Sequence, residues 1–415
     1  MTRKLDFRTP QAILRLIRLR IRLGPVPAER VPVKDALGRI LCEDITSAID
    51  IPFFVRPWVD GYATRARWTS GASAAHPVGL RLAGRLFPED YPTKRRLRDR
   101  EAYYVACGAP VPKGADCLIK VENTRRSGNE ILVLKEVKPG EALSRPGEDV
   151  RKGTLVLKRG QIVRAQDLGV LVSLGKREVS VFRKPKLAIL SVGDEVVDIR
   201  HFNPLKIVNN YAYVIAAATS EVGATPILLG IAPDDPDSIA ARIDEGTRLA
   251  DAVATIGGCS VGEKDFVPDA IRRLGEVVAH GVKIRPGHVA GVGFVRGKPV
   301  FMLPGHIASC TMAFYTFVLP TLAKLAGSEQ SQLLPTLHAD LESAVEKAPV
   351  HTFLRLRIRR RAQRLLAEPI HGGTNILSSL SRANGFALLP PSRQIRRGQK
   401  IKVTLFGKLE HAAMR

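Results

Sequence analysis

Residues 186–198 read KLAILSVGDEVVD, and this stretch opens a segment of alternating strand and helix patterns that extends to about Ala323. LAILSV is an apolar run, as expected of a strand that is buried on both faces of a sheet. The strand patterns TPILLGI, AVATIGG and PVFMLPG follow it, with helix patterns between them, the first after Asn209 and Asn210, where an Asn cap is expected. Strands that alternate with helices predict βαβ units, so the segment is predicted to form a doubly wound parallel sheet.

Length and composition indicate a multidomain globular protein. The chain has 415 residues, of which 45% are hydrophobic and 25% charged, and this length suggests about two to four domains. No apolar run reaches the roughly 18 residues of a membrane span, so no membrane partner is expected. The five cysteines are scattered and odd in number, which predicts reduced thiols and a cytoplasmic location rather than disulfides or a zinc site.

The N-terminus predicts a helix rather than a secretory signal. It lacks an apolar core and a small-residue cleavage site, and arginines recur through it. Residues 10–24 would place Ile13, Leu14, Ile17 and Ile21 on one helical face, with Gly24 as the stop.

The net charge of +24 would attract anions. The basic residues are spread from Arg3 to Arg415, and no basic stripe is interleaved with aromatic residues, which make up only 6% of the chain. This distribution does not favour a nucleic-acid partner and suits an anionic small-molecule substrate.

The patterns on either side of the parallel-sheet segment are β-rich. Short apolar runs punctuated by Gly and Pro fill the region after Pro52, one helix is expected from Ala165 to Leu174, and strand patterns return after Gly327. The fold class is therefore predicted to be multidomain α/β. The predicted domains are an N-terminal α/β domain (1–51 with 141–183), a β-rich inserted domain (52–140), the parallel-sheet domain (184–327) and a C-terminal small β-barrel domain (328–415).

Three loops leave the predicted carboxyl ends of the strands, where ligands bind in such sheets. They are SVGDEVVD, IGGCSVGEKDF and LPGHIAS. Successive N–H groups of a glycine-rich loop, followed by a helix N-terminus, favour phosphate or another oxyanion. The residues predicted to bind such a ligand are Gly257, Gly258, Ser260, Gly262, Gly305 and Ser309.

Asp265 has two interpretations. It stands just before the helix pattern FVPDAIRRLG, where a carboxylate can cap a helix. Together with Asp194 and Glu195, it could instead hold a divalent cation such as Mg²⁺, which prefers carboxylate and phosphate oxygens.

Nine motifs, taken in order, resemble the molybdopterin molybdenumtransferase family of the MoeA type, which includes the E domain of gephyrin. Each motif alone is weak, but they run in family order from about Thr9 to Phe406. They are VKDALGRILCEDI, IPFFVRPWVDGYA, CGAPVPKGADCLIKVENT, PGEDVRKGTLVLKRG, SVGDEVVD, IGGCSVGEKDF, IRPGHVAG, VFMLPGHIAS and ILSSLSRANGFALLPP.

The resemblance implies a homodimer of four-domain subunits with a MogA-like central domain. It also implies a reaction, in which molybdate is inserted into adenylylated molybdopterin and AMP is released. By the same resemblance, Glu195 and Asp265 are catalytic residues that hold a Mg²⁺ ion at the pyrophosphate, and Asp60 is an essential acid contributed across the dimer. Asp149 and Asp234 match further acidic positions that affect activity. The positions where the family binds oxyanion are Arg285, His288, Ser309, Arg355, Ser378 and Ser379.

Several motifs depart from the family pattern. The usual PGKP motif, preceded by Lys, is Arg285-Pro286-Gly287-His288-Val289 here, so a planar guanidinium and an imidazole replace two lysines. LPGNP has become LPGHI, with His306 in place of Asn. The two histidines could also be metal ligands, although the sequence shows no third ligand.

Two functional interpretations follow. One is an active transferase with altered oxyanion handling, using molybdate or tungstate. The other is a catalytically impaired paralogue that binds molybdopterin or nucleotide without metal transfer. Other proteins of molybdenum cofactor biosynthesis are the further partners that the resemblance suggests.

Overall fold

The protein forms two compact units. The computed structural model describes residues 5–21, 25–328 and 334–411. The first unit comprises Met1–Glu43, Arg159–Gly169 and Arg177–Arg415, and the second comprises Asp44–Lys158 and Val170–Lys176.

A six-stranded sheet is the centre of the first unit. Its order is Thr225–Ala232, Lys186–Val192, Ala252–Ile256, Lys298–Leu303, Gly291–Val295 and Gly275–His280. The first four strands are parallel, as predicted. The last two form an antiparallel edge that the sequence patterns did not predict.

Helices cover both faces of this sheet, which confirms the doubly wound prediction. Successive side chains of a strand point to opposite faces. Leu187 and Ile189 accordingly pack in one buried cluster with Ile215, and Ala188 and Leu190 pack in a second cluster. The covering helices are Asn210–Glu221, Pro236–Leu249, Val267–Leu274 and Ile307–Leu325.

The helix Ile307–Leu325 contains a π-helical turn, Phe314–Val318, between two α-helical parts. This turn lies just before Pro320, which has no N–H to donate to the preceding turn. The helix has 19 residues and is apolar enough to cross a membrane, but 83% of its most apolar window is buried within the protein. That burial is the property of a core helix.

Five strands after residue 334 close into the predicted barrel. Leu356, Ile358 and Val403 are completely buried in its core. The strand Ile284–Arg285 of the parallel-sheet segment pairs with the long barrel strand, so the two parts share backbone hydrogen bonds. The barrel order is His351–Arg361, Arg364–Pro369, Thr336–Leu341, Lys400–Leu405 and Gly385–Leu389, which returns to the first strand.

The N-terminal helix spans Pro10–Arg20 and buries Ile13 and Ile17 as predicted. The hydroxyl of Thr9 caps it by accepting from the N–H of Ala12 at 3.2 Å. The predicted stop, Gly24, lies outside the described residues. Other regular elements of the first unit are the strand pairs Ala28–Pro32 with Glu178–Phe182 and Val196–Val197 with Ile207–Val208, and the short helix Ser378–Ser381.

The second unit is built around a six-stranded β-sheet, in line with the predicted β-rich module. Its order is Cys117–Lys120, Gly61–Thr64, Glu101–Val105, Val78–Leu86, Glu130–Val133 and Thr124–Ser127. Two short pairs accompany it, Arg56–Pro57 with Leu143–Ser144 and Ile45–Thr46 with Leu155–Leu157. The predicted single helix spans Ala165–Ser173, and its residues from Val170 onward belong to this unit.

An ion pair lies at the start of the central sheet. Arg183 Nη1 donates to Asp251 Oδ2 at 2.8 Å and Nη2 donates to Oδ1 at 2.5 Å. The N–H of Lys186 adds a bond of 2.8 Å to Oδ2. Burial of Asp251 opposes its ionisation, but the hydrogen bonds from Arg183 and Lys186 outweigh burial and hold the pKa of Asp251 below its usual value.

Asp251→Asn is expected to lower the free energy of unfolding by about 2–3 kcal/mol at neutral pH, because it leaves Arg183 without its carboxylate. The carboxylate has a lower pKa in the folded than in the unfolded protein, so its contribution is complete above the unfolded pKa of about 3.9 and is lost as the pH falls through the folded pKa. Urea unfolding should therefore show a difference between wild type and variant that is constant from about pH 6 to 8 and shrinks below about pH 4. A difference that does not change with pH would contradict this account.

Candidate active site

A cavity of about 970 Å³ lies at the carboxyl edge of the parallel strands. The loops that follow these strands form its wall because the carboxyl ends of parallel strands meet at one edge. The three loops singled out in the sequence all contribute to it. Among the lining residues are Glu195, Asp234, Gly257, Gly258, Ser260, Gly262, Lys264, Asp265, His288, Gly305, His306, Ser309 and Thr374.

The glycine loop after Ala252–Ile256 requires glycine at its first position. Gly257 has φ +89°, and a Cβ there would lie 2.7 Å from the carbonyl oxygen of Val192. Only glycine accepts both conditions without strain. The loop therefore passes close to the neighbouring strand and presents its backbone to the cavity.

Asp265 closes this loop and does not cap the helix. Its Oδ2 accepts from the N–H of Gly262 at 2.7 Å. The helix begins at Val267, and Phe266 is its N-cap residue without a side-chain bond. The capping prediction was therefore wrong. A similar correction applies to Asn209, which occupies the N-cap position but makes no side-chain cap bond and instead accepts from the Ser191 hydroxyl at 2.6 Å.

Two acidic loops are joined by reciprocal hydrogen bonds. The N–H of Asp194 donates to Asp234 Oδ2 at 3.3 Å, and the N–H of Asp234 donates to Asp194 Oδ1 at 3.1 Å. Lys264 Nζ donates to Asp194 Oδ2 at 3.2 Å. The N–H of Asp234 and then the Lys264 ammonium hold the pKa of Asp194 below its usual value, and the Asp194 carboxylate raises the pKa of Lys264.

The carboxylates suit a cation that shares its ligands with a substrate. Glu195, Asp234 and Asp265 supply the oxygen donors that Mg²⁺ prefers. Within the described ranges, however, no group of three His, Cys, Asp or Glu residues is arranged to hold a metal ion. Mg²⁺ is commonly bound by one or two carboxylates together with substrate phosphates, and this donor set fits that arrangement. Among those same residues, His288 and His306 are likewise not part of such a group.

The helix N-terminus after Lys298–Leu303 faces the same cavity. Ser309 lies in its first turn and is buried, with 4% exposure. His306 is the N-cap residue but makes no side-chain cap bond. Its Nδ1 lies 3.2 Å from the Thr374 hydroxyl, and the N–H of Ala308 donates to the Thr374 carbonyl at 3.0 Å. The Thr374 carbonyl, from a loop of the barrel, thus caps one of the free N–H groups at this helix N-terminus.

A second cavity of about 710 Å³ lies beside the barrel, and two arginines, Arg285 and Arg355, are among its lining residues together with His371. Pro286 and Thr374 line both cavities, so the two adjoin. Glu346 is the one acidic side chain among the described lining residues of the second cavity. Most of the acidic lining residues therefore belong to the first cavity, and the two arginines belong to the second.

Arg355 is the most unusual residue of the second cavity, because it is a buried arginine, 8% exposed. It donates to the Ser379 hydroxyl and, through Nη2, to the Gly372 carbonyl at 3.0 Å. It has no ion pair within the part of the chain that the structure describes. Burial, with Arg382 nearby, lowers its pKa. A buried cation without a carboxylate partner is a ready site for an anion.

The remaining predicted oxyanion residues are exposed. Arg285 donates from Nε to the Thr352 hydroxyl at 3.1 Å and lines the second cavity. The His288 ring lies 6.4 Å from the ring of Phe7 and lines the first. Ser378 is exposed, whereas Ser379 beside it is buried.

Two predicted residues belong to the second unit. Asp60 is exposed, and its Oδ1 accepts from the N–H of Cys107 at 2.7 Å. Burial and then the Asp60 carboxylate raise the pKa of Tyr104. Asp149 is exposed in a turn, where its N–H donates to the Ile51 carbonyl at 3.0 Å.

Lys264 and Thr374 are site residues that sequence reasoning missed. Lys264 stands next to Asp265 in GEKDF, so its proximity to the acidic loops was the available signal. Thr374 follows two glycines in a stretch with no motif, and its place between the cavities is set by tertiary contacts alone.

Three family models together match most of the chain. Residues 8–175 match a family model described as MoeA N-terminal region (domain I and II). Residues 188–324 match one described as probable molybdopterin binding domain, and residues 338–406 match MoeA C-terminal region (domain IV). The molybdopterin molybdenumtransferase of Bacillus subtilis is 31% identical over 385 residues, 91% of this chain and 89% of that protein. That of Haemophilus influenzae is 29% identical over 392 residues, 93% and 95% of the two chains.

A solved structure agrees with this relationship. The molybdopterin biosynthesis MoeA protein from Pyrococcus horikoshii is 34% identical, with a TM-score of 0.82, and the match covers 97% of this chain and 100% of that one. The chain therefore belongs to the MoeA family of molybdopterin molybdenumtransferases.

Proposed function

We propose that this transferase inserts molybdate into adenylylated molybdopterin, with release of AMP, in molybdenum cofactor biosynthesis. Family membership supports the reaction class. The observation that carries the proposal is the pair of adjoining cavities. One has a glycine loop and carboxylates, and the other has a buried arginine with no carboxylate partner among the described residues. The first suits a pyrophosphate with its cation and the second suits a tetrahedral oxyanion.

The first cavity would bind the adenylylated substrate. The N–H groups of Gly258, Ser260 and Gly305 would face the phosphates. Gly257 and Gly262, whose N–H groups donate to the Leu303 carbonyl and to Asp265 Oδ2, would shape the loop around them. Glu195 and Asp265 would hold Mg²⁺, with Asp234 beside them. A Mg²⁺ ion bound there would polarise the phosphoanhydride so that AMP can leave. Lys264, paired with Asp194, would keep part of the acidic charge neutralised before substrate arrives.

The second cavity would bind the oxyanion. Arg355 would donate to it from a buried position, where hydrogen bonds to an anion are stronger than in water. Ser379 would hold the guanidinium in place, because its hydroxyl accepts from Arg355 and donates to the Ile376 carbonyl. Arg285 and Ser378 would add donors, and Ser309 and His288 would approach the oxyanion from the wall of the first cavity. Such fixed donors offset the charge of molybdate as it approaches the dithiolene sulfurs.

Further assignments rest on the family resemblance. We propose a cytoplasmic homodimer of four-domain subunits, with the domain bounds given by the sequence patterns. Asp60 would act at the partner's cavity, and Asp149 would contribute to activity in a role not yet defined. Other cofactor biosynthesis proteins would supply the substrate or take the product.

The decisive experiment is AMP release. Purified protein with Mg²⁺ and adenylylated molybdopterin should release AMP when molybdate or tungstate is supplied, and the two arms would show which oxyanion is preferred. The alternative, an impaired paralogue, is favoured by the change to His288 in the cavity wall. It predicts tight binding of molybdopterin or nucleotide without AMP release, and that result with both oxyanions would overturn the proposal.

Arg355→Lys is expected to weaken molybdate binding by about tenfold to a hundredfold, because lysine keeps the charge but loses the fork of donors. Titration calorimetry with molybdate measures the affinity. Arg360→Lys is the matched control, since Arg360 is exposed on the same strand outside both cavities. Equal affinities for the two variants would remove Arg355 from the oxyanion site.

Asp265→Asn is expected to weaken binding of Mn²⁺ in the presence of ADP by about tenfold, because an amide lacks the charge that holds a divalent cation. The asparagine oxygen can still accept from Gly262, so the loop should keep its shape. Electron paramagnetic resonance counts the free Mn²⁺. Asp237→Asn serves as the control, because Asp237 is an exposed partner of Arg273 outside the cavity, and a loss of the same size there would point to general charge rather than a ligand.

A further inference from the structure

A clasp joins the two cavities, formed by His306 and Thr374. The Nδ1 atom of His306 and the Thr374 hydroxyl are 3.2 Å apart, and either partner can supply the proton. The N–H of Ala308, two residues beyond His306, donates to the Thr374 carbonyl at 3.0 Å. The hydroxyl and the carbonyl of Thr374 thus both contact the N-terminal end of the helix that begins at Ile307.

The loop that carries Thr374 also carries an acceptor for Arg355. The carbonyl of Gly372 accepts from Arg355 Nη2 at 3.0 Å. Gly372, with φ +140°, and Gly373 lie between His371 and Thr374. Two adjacent glycines leave this backbone with wide conformational freedom. Because hydrogen bonds hold Thr374 in place, they restrict the position of the Gly372 carbonyl and of the Arg355 guanidinium that donates to it.

The location of the clasp matters because Thr374 belongs to both cavity walls, whereas His306 lines only the first. A contact made by His306 thus reaches a guanidinium in the next cavity without touching it. The Nη1 atom of Arg355 donates to the hydroxyl of Ser379, which lies in the short helix Ser378–Ser381. The position of Nη2 therefore depends on the Gly372 carbonyl.

We propose that His306 is a positioning residue that acts through Nδ1 on Thr374 and so orients Arg355 for the oxyanion. This inference rests on the proposed function of the second cavity. His306 makes the contact with its δ nitrogen, and an asparagine side chain also carries polar atoms at the δ position. The change from Asn to His in this motif then preserves the clasp instead of abolishing it.

Four variants of the full chain test the clasp. His306→Asn keeps a polar atom at δ, whereas His306→Gln moves it to ε. Thr374→Ser keeps the hydroxyl, whereas Thr374→Val removes it at nearly the same volume. Titration calorimetry measures the affinity for molybdate and, separately, for ADP, and thermal unfolding shows that each variant is folded.

The expected result is a split within each pair. The Asn and Ser variants should bind molybdate within about twofold of wild type, and the Gln and Val variants should bind about threefold to tenfold more weakly, the effect of one lost hydrogen bond. ADP affinity should stay unchanged in all four. The double variant with Gln and Val should be no weaker than either single variant, because both remove the same contact.

Three results would overturn the inference, and they differ in whether the proposed oxyanion site fails as well. If the Gln and Val variants bind molybdate like wild type while Arg355→Lys does not, the clasp is wrong and the oxyanion site stands. If Arg355→Lys also binds like wild type, the oxyanion site of the proposed function fails, and the clasp with it. If His306→Asn is as weak as His306→Gln, or either loses ADP affinity, His306 acts by direct contact in the first cavity.

Discussion

Burial of the parallel sheet on both faces is the constraint on which the site depends. Leu187 and Ile189 fill one core while Ala188 and Leu190 fill the other, so the middle of the strand has no place for a charged side chain. After Lys186, the next polar residue of the strand is Ser191 near its end, and the Ser191 hydroxyl donates to the Asn209 side chain. Charged groups are therefore confined to the two ends of the strands, and at the carboxyl ends loops far apart in sequence form a single cavity.

The barrel completes the site by backbone pairing. The strand Ile284–Arg285 continues the barrel sheet beside Thr352, which fixes where the second cavity meets the first. Arg355 is buried there and has no carboxylate partner in the described part of the chain, an arrangement that is costly for a cation. Hydrogen bonds to Ser379 and Gly372 offset part of that cost, and a bound oxyanion would offset more. The site is thus preformed but electrostatically incomplete.

The sequence predicted the elements better than the contacts between them. LAILSV, the helix at Pro236 and the barrel strands follow from local periodicity, and the structure has them. The antiparallel edge was missed because neither Gly275–His280 nor Gly291–Val295 was recognised as a strand from its sequence. The cap assigned to Asp265 was wrong because a carboxylate before a helix can equally close its own loop. Thr374 carries no local signal, since only the tertiary fold brings it to His306.

The wall shared by the two cavities has a thermodynamic consequence. Pro286 and Thr374 touch both spaces, so a ligand that shifts or stiffens this wall changes the affinity for the ligand on the other side. Linkage requires the effect to be reciprocal: any factor by which nucleotide alters oxyanion affinity is the factor by which oxyanion alters nucleotide affinity. If the two cavities bind the ligands proposed for them, two residues with no charge of their own would couple the binding of a metal oxyanion to that of an organic phosphate.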